Sequence, residues 1–166
     1  MNFSRIPRYY YRRFQRLKGD PYALAGGFAI GVFIGVTPTM PLHTVAIILL
    51  TLATRTSTIA GILSSWIVCN PLTYLPIYFF SMKIGNVITP YHLSWSKVKS
   101  IVAPLITGDS LSTSINAIAG LGFETLAVML AGGTVLALPF TIASYYFSLY
   151  FFISIKKKRI QKRILH

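Results

Sequence analysis

Acidic side chains are almost missing from this chain. Asp20, Asp109 and Glu124 stand against sixteen lysines and arginines, for a net charge of +13 over 166 residues. Three acids so far apart offer no paired-carboxylate site for acid–base chemistry. Cysteine is scarcer still: Cys69 is alone, so neither a disulfide nor a multi-cysteine metal site can form within one chain. Charge of any sign is low, at 11% of residues, where soluble domains carry about a quarter. Also missing are a Ser-His-Asp set, a phosphate-cradling glycine loop and any His/Cys cluster at ligand spacing. The chain therefore reads as a non-enzyme with no cofactor and no catalytic or metal residues.

Apolar residues are what is present. They make up 54% of the chain, and the mean hydropathy is +0.61. Such a composition predicts an all-α integral membrane protein. The positive charge is placed accordingly. Arg5, Arg8, Arg12, Arg13, Arg16 and Lys18 precede the first apolar stretch, and Lys156, Lys157, Lys158, Arg159, Lys162 and Arg163 follow the last. Basic residues mark cytoplasmic flanks, so both termini are expected in the cytoplasm and the number of complete crossings is even. A basic nucleic-acid-binding tail is the competing reading. Attraction of the tails to anionic lipid headgroups, at about 1 kcal/mol per residue, explains the placement more economically and makes the bilayer the expected partner, with no nucleic acid. A homo-oligomer is compatible with the same pattern. A cleaved signal peptide is not expected, because the run after Pro21 contains Thr37-Pro38 and no small-residue cleavage site.

Residues 1–20 place Phe3, Ile6, Tyr10, Phe14 and Leu17 at spacings of three and four, with arginines between them, as in a basic amphipathic helix lying in the headgroup layer. Gly19-Asp20-Pro21 stops that helix and starts the membrane domain, expected over 21–155, with a basic cytoplasmic tail at 156–166. The first apolar stretch, 22–54, is interrupted by Pro38 and Pro41. Each half is about 16 residues, or roughly 24 Å of helix, short of the ~30 Å hydrocarbon core. This predicts a re-entrant hairpin whose polar elbow carries Thr37, Pro38, Thr39 and His43, two thinned crossings being the alternative. Gly27, Gly31 and Gly35 recur every fourth residue, a face that lets a second helix backbone approach closely.

The stretch "SSWIVCNPLTYLPIYFF" at 64–80 is equally apolar but broken by Asn70-Pro71 and Pro76. Each proline deprives a carbonyl four residues earlier, of Ile67 or Leu72, of its helical donor. The Asn70 amide adds donors and acceptors beside them. Either a polar site in the membrane or an Asn-Pro turn at its edge accounts for this. Residues 58–80 are the first fuller crossing. The next segment surfaces, with Tyr91 and Trp95 at the headgroups and an interfacial helix from about Ser110, and 125–155 crosses again with a kink at Pro139. "LAGG" occurs at 24–27 and again at 130–133, a weak internal repeat of the kind transporters use around a midplane site.

Taken in order, "GDPYALAGGFAIGVFIGVTP", "SSWIVCNPLTYLPIYFF" and "LAGGTVLALPFTIASYY" resemble the bacterial domain-of-unknown-function family 2062 over roughly residues 15 to 155. The resemblance implies an inner-membrane protein of short, broken helices, in a family with no established activity whose members are sometimes joined to soluble domains such as glycosyltransferases. Met40-Pro41-Leu42-His43 departs from the family's pattern at the second proline.

Two functions are compatible with these residues. In one, Thr37, Pro38, Thr39, His43, Asn70 and Pro71 line a polar midplane site of a transporter-like protein for a small or lipid-linked solute. His43, with an ordinary pKa of about 6.5, could exchange protons there. In the other, the breaks serve packing alone and the protein is a scaffold that recruits a partner or organises lipid. Glu124 has no assigned role.

Overall fold

The structure, a computed structural model, describes residues 13–14, 17, 19–38, 42–96, 98–99 and 122–164. These residues contain no strand. They form five helices: α1 (Pro21–Val36), α2 (His43–Ala53), α3 (Thr58–Val68), α4 (Pro71–Ile88) and α5 (Gly122–Ile164). Arg13 and Phe14 are helical as well.

Local chemistry sets most of the boundaries. Gly19 takes a φ of +155°, a conformation that L side chains rarely adopt. Asp20 is extended, and its carboxylate accepts the Tyr22 N–H at 3.2 Å while Pro21 fills the first helical position. At the other end of α1, Thr37 is pushed into an extended conformation by the following Pro38, and its hydroxyl donates to the Phe33 carbonyl at 2.8 Å.

The end of α2 closes with Thr56 N–H donating to Thr51 O at 2.8 Å and Arg55 N–H to Leu52 O at 3.1 Å, the paired bonds of a Schellman cap. That cap needs a left-handed residue, and Arg55 supplies it at φ 52° where glycine is usual. A non-glycine residue there costs roughly 1–2 kcal/mol. Arg55→Gly is therefore expected to stabilise the fold by about 1 kcal/mol, read as a higher unfolding midpoint in detergent. An unchanged midpoint would mean that the arginine recovers this strain through its charge at a helix C-terminus.

Three helices form one compact unit. The Ser57 N–H donates to Ala23 O at 3.0 Å, which brings the end of the α2 hairpin back beside the start of α1. From there α1 and α3 climb together: Ser64 Oγ donates to Phe28 O at 2.9 Å and Cys69 Sγ reaches Gly35 O at 3.4 Å. The rising residue numbers on both helices make the pair parallel. Helix α2 runs back against α3, tied by Thr51 and Thr58 hydroxyls 2.9 Å apart, and buries only Ile47 and Thr51.

Helix α5 joins this unit to α4. Gly85 lies against Val128 and Ser81 against Gly132, so α4 and α5 are antiparallel. Further along, Ala137 is buried with Val32 and Val36, and Phe152 with Leu24, Ala25, Ala60 and Leu63. At the base, Lys156 Nζ sits 3.8 Å from Asp20 and Arg159 Nη1 donates to Leu17 O at 3.0 Å. The exposed Lys156–Asp20 pair contributes little energy but marks which ends meet.

Several expectations are revised. The segment expected to cross over 58–80 is sharply bent: Thr58–Val68 and Thr73–Ile88 meet at 90°. Pro76 lies inside α4 and Pro139 inside α5, and both helices run through them, α4 as far as Ile88. The basic tail expected from residue 156 is helical as far as Ile164, continuing α5. Among the described residues one helix, over Phe123–Gln161, is long and apolar enough to span a membrane, or two if the bent pair counts as one span. Helices α1 and α2, at 16 and 11 residues, are too short alone. The interfacial helix expected from Ser110 lies outside the described residues. Of the amphipathic stripe at the N-terminus, Phe14 is buried with Phe28 and Phe152, at ring distances of 5.4 and 6.3 Å, and Leu17 packs on the same cluster. That stretch of the stripe covers protein.

Candidate functional site

The glycine face of α1 is an interhelical seam. A Cβ on Gly27 would run into the Ser57 carbonyl, and one on Gly31 into the Gly61 carbonyl and Ser64 Oγ. Gly35 is looser, its nearest neighbour being Val68 Cβ at 3.2 Å. Gly61 completes the contact from α3, with Gly27 O 3.1 Å from where its own Cβ would sit. Both "LAGG" runs do the same work. Gly132 admits the Ser81 carbonyl and Gly85 backbone of α4, and Gly133 admits the Pro38 ring.

The seams bring the elbow residues to one end of the α1–α2–α3 unit. Thr37 and Pro38 terminate α1, with Pro38 against Gly133 of α5. His43 opens α2 on the return. Cys69, through its contact with Gly35 O, places the neighbouring Asn70 close by. Thr39 lies outside the described residues.

Chemically these residues divide into two groups. Thr37 is buried but its hydroxyl is engaged with Phe33 O. Asn70 is exposed, and its Nδ2 donates to Ile67 O at 2.7 Å, the same carbonyl that Pro71 leaves without a helical donor. The Asn70 N–H donates to Thr73 Oγ1 at 3.0 Å, and that hydroxyl lies against the Val68 and Asn70 carbonyls. Asn70 is thus the N-cap of α4, with Pro71 in the favoured first position, and the break consumes its own polar groups.

On the inner side the balance is different. Two buried side-chain atoms in the described structure have no hydrogen-bond partner: His43 Nδ1 and Ser81 Oγ. Buried polar atoms are rarely left unpaired, so these two stand apart from the satisfied groups of Thr37 and Asn70. Ser81 escaped the sequence reading. Its signal was the spacing Ser81-xxx-Gly85 on α4, the small-residue pattern that was recognised only on α1.

No three of His, Cys, Asp and Glu come together among the described residues in a way that could hold a metal ion. A family model described as an uncharacterized protein conserved in bacteria matches residues 4–161. The chain belongs to DUF2062. No curated protein and no solved structure matches it. The DUF2062 match covers the glycine seams, the elbow and all five helices except the last three residues of α5.

Proposed function

We propose that this DUF2062 chain is a multi-pass protein of the bacterial inner membrane whose elbow forms a polar site within the bilayer, serving passage of a small or lipid-linked solute. The observation that carries the reading is two buried polar atoms without a partner, His43 Nδ1 where α2 opens after the elbow and Ser81 Oγ beside Gly133, the glycine that packs on Pro38.

Exposed apolar side chains support the bilayer. Leu49 and Leu52 on α2 and Phe140 and Phe147 on α5 are open to the surroundings, on more than one face of the molecule. So wide a spread exceeds the isolated patches of soluble proteins. Aromatic residues then give the depth. Tyr146 and Tyr150 are exposed near one end of α5, while Trp95 packs on the cluster holding Val128 and Met129 near the other. From residue 128 to residue 148 is about 30 Å of helix, the thickness of the hydrocarbon core. The elbow, at the level of Gly133, then falls roughly 8 Å inside the Trp95 boundary. Exposed Arg55, Lys156, Lys157 and Lys158 lie toward the opposite end, favouring a cytoplasmic base from which both basic tails leave and meet anionic headgroups.

The self-satisfied Asn70-Pro71 turn favours the second reading, a scaffold whose breaks serve packing. The two differ in wetness. In a Cys69→Ala chain in liposomes, a cysteine at His43 should react with a small hydrophilic thiol reagent, while one at lipid-facing Leu49 should not. Silence at both positions would leave the scaffold.

A further inference from the structure

Ser81 is fully buried, at 0% exposure, and its hydroxyl behaves unlike five other buried hydroxyls among the described residues. Thr37, Thr51, Ser64, Ser65 and Ser148 each return the side chain to a carbonyl three or four residues back, the usual way a helix absorbs such a group. Ser81 makes no such bond. Its Oγ instead lies 3.5 Å from where a Cβ on Gly133 would stand, in the space between α4, α5 and the Pro38 ring. A hydroxyl that declines the carbonyl one turn back and points into a glycine seam needs a partner there.

We infer that the Ser81–Gly133–Pro38 seam is a hydrated site that binds a neutral, hydrogen-bonding ligand: water, or the hydroxyl of an uncharged solute. This rests on the elbow reading above and deepens it by naming the ligand class. Among the described residues, the charged groups of α4 and α5 near this level are turned outward. Lys83 is exposed, with its ammonium 5.1 Å from the Phe79 ring centroid, and Glu124 is exposed nine residues before Gly133 on α5. Asp20 sits at the far base against Lys156. An ion would meet no counter-charge from these groups, whereas a hydroxyl or water can both donate to and accept from Ser81 Oγ.

The test compares single cysteines at Ser81 and at Ser64 in the Cys69→Ala chain, reconstituted in liposomes and exposed to a small neutral methanethiosulfonate. Both serines are fully buried, but Ser64 bonds Phe28 O in the dry α1–α3 seam. Ser81→Cys should react more than about tenfold faster than Ser64→Cys, as expected for a water-filled site against a close-packed one. Molar glycerol should slow the reaction if a solute hydroxyl is the ligand and leave it unchanged if water alone occupies the site. Equal, slow labelling of both cysteines overturns the inference. If His43→Cys is still labelled in that case, the elbow reading survives without Ser81, whereas silence at all positions removes both. Should either cysteine variant fail to fold, Ser81→Ala decides. Removing a dry, unpaired hydroxyl raises the unfolding midpoint, and removing a hydrated one leaves it unchanged or lowers it.

Discussion

Gly31→Ala should destabilise the protein by at least about 3 kcal/mol, at the upper end of what overpacking a core costs. The added methyl meets the Gly61 carbonyl and Ser64 Oγ, and neither can retreat freely. Gly61 is itself hemmed in, with Ile47 Cγ2 2.9 Å and Gly27 O 3.1 Å from the position of its own Cβ. The Ser64 hydroxyl is bonded to Phe28 O, so displacing it breaks the polar tie between α1 and α3. Gly35→Ala should be much milder, because the opposing group is a valine side chain at 3.2 Å that can shift by a few tenths of an ångström. Ile30→Leu, a volume-conserving change beside the seam, should cost less than about 1.5 kcal/mol. Val32 is unsuitable as a control, since it is buried with Val36 and Ala137. Unfolding midpoints in one detergent give the ranking, and a Gly31→Ala midpoint equal to that of Gly35→Ala would remove the close-packing argument.

The glycine face was legible because a four-residue interval is a property of one helix and needs no knowledge of its partner. Its partner was not legible. Gly61 and Ser64 sit in an ordinary apolar run, and they oppose α1 only because α2 carries the chain back to Ala23 before α3 begins. The start of α1 was equally plain, since Asp20 and Pro21 act on the adjacent peptide groups. Pro76 was read as an interruption of its segment and turned out to lie inside α4, a distinction that depends on neighbours elsewhere in the fold. The candidate site was half legible. Thr37, Pro38, His43 and Asn70 lie toward one end, but the polar groups of Asn70 are spent on its own turn and the unpaired hydroxyl belongs to Ser81, whose small-residue spacing to Gly85 went unread. Thr73, three residues after Asn70, was the overlooked sign that Asn70-Pro71 starts a helix instead of interrupting one.

That turn carries the second large expectation. Asn70→Leu removes the donor to Ile67 O, and should cost about 1–3 kcal/mol, the penalty of a carbonyl left without a partner. Pro71→Ala alone should change stability by less than about 1 kcal/mol, because proline at the first helical position is merely favoured there and its ring blocks no existing bond. The informative variant combines them. An alanine at 71 regains an N–H, but that group reaches Ile67 O only if residue 70 leaves its extended conformation, φ −116° and ψ 151°, and the two helices straighten. Straightening would pull α4 off α5 and open the seam in which Gly85 and Gly132 meet, together with the cluster of Tyr78, Met82, Val128 and Met129. The double variant should therefore remain as unstable as Asn70→Leu. A reporter cysteine at Val128, 1% exposed in the native fold, should stay unreactive in it. Recovery of stability together with labelling at 128 would mean that α4 is held across the 90° bend by the proline and its cap, with the α4–α5 seam too weak to fix the geometry of the site.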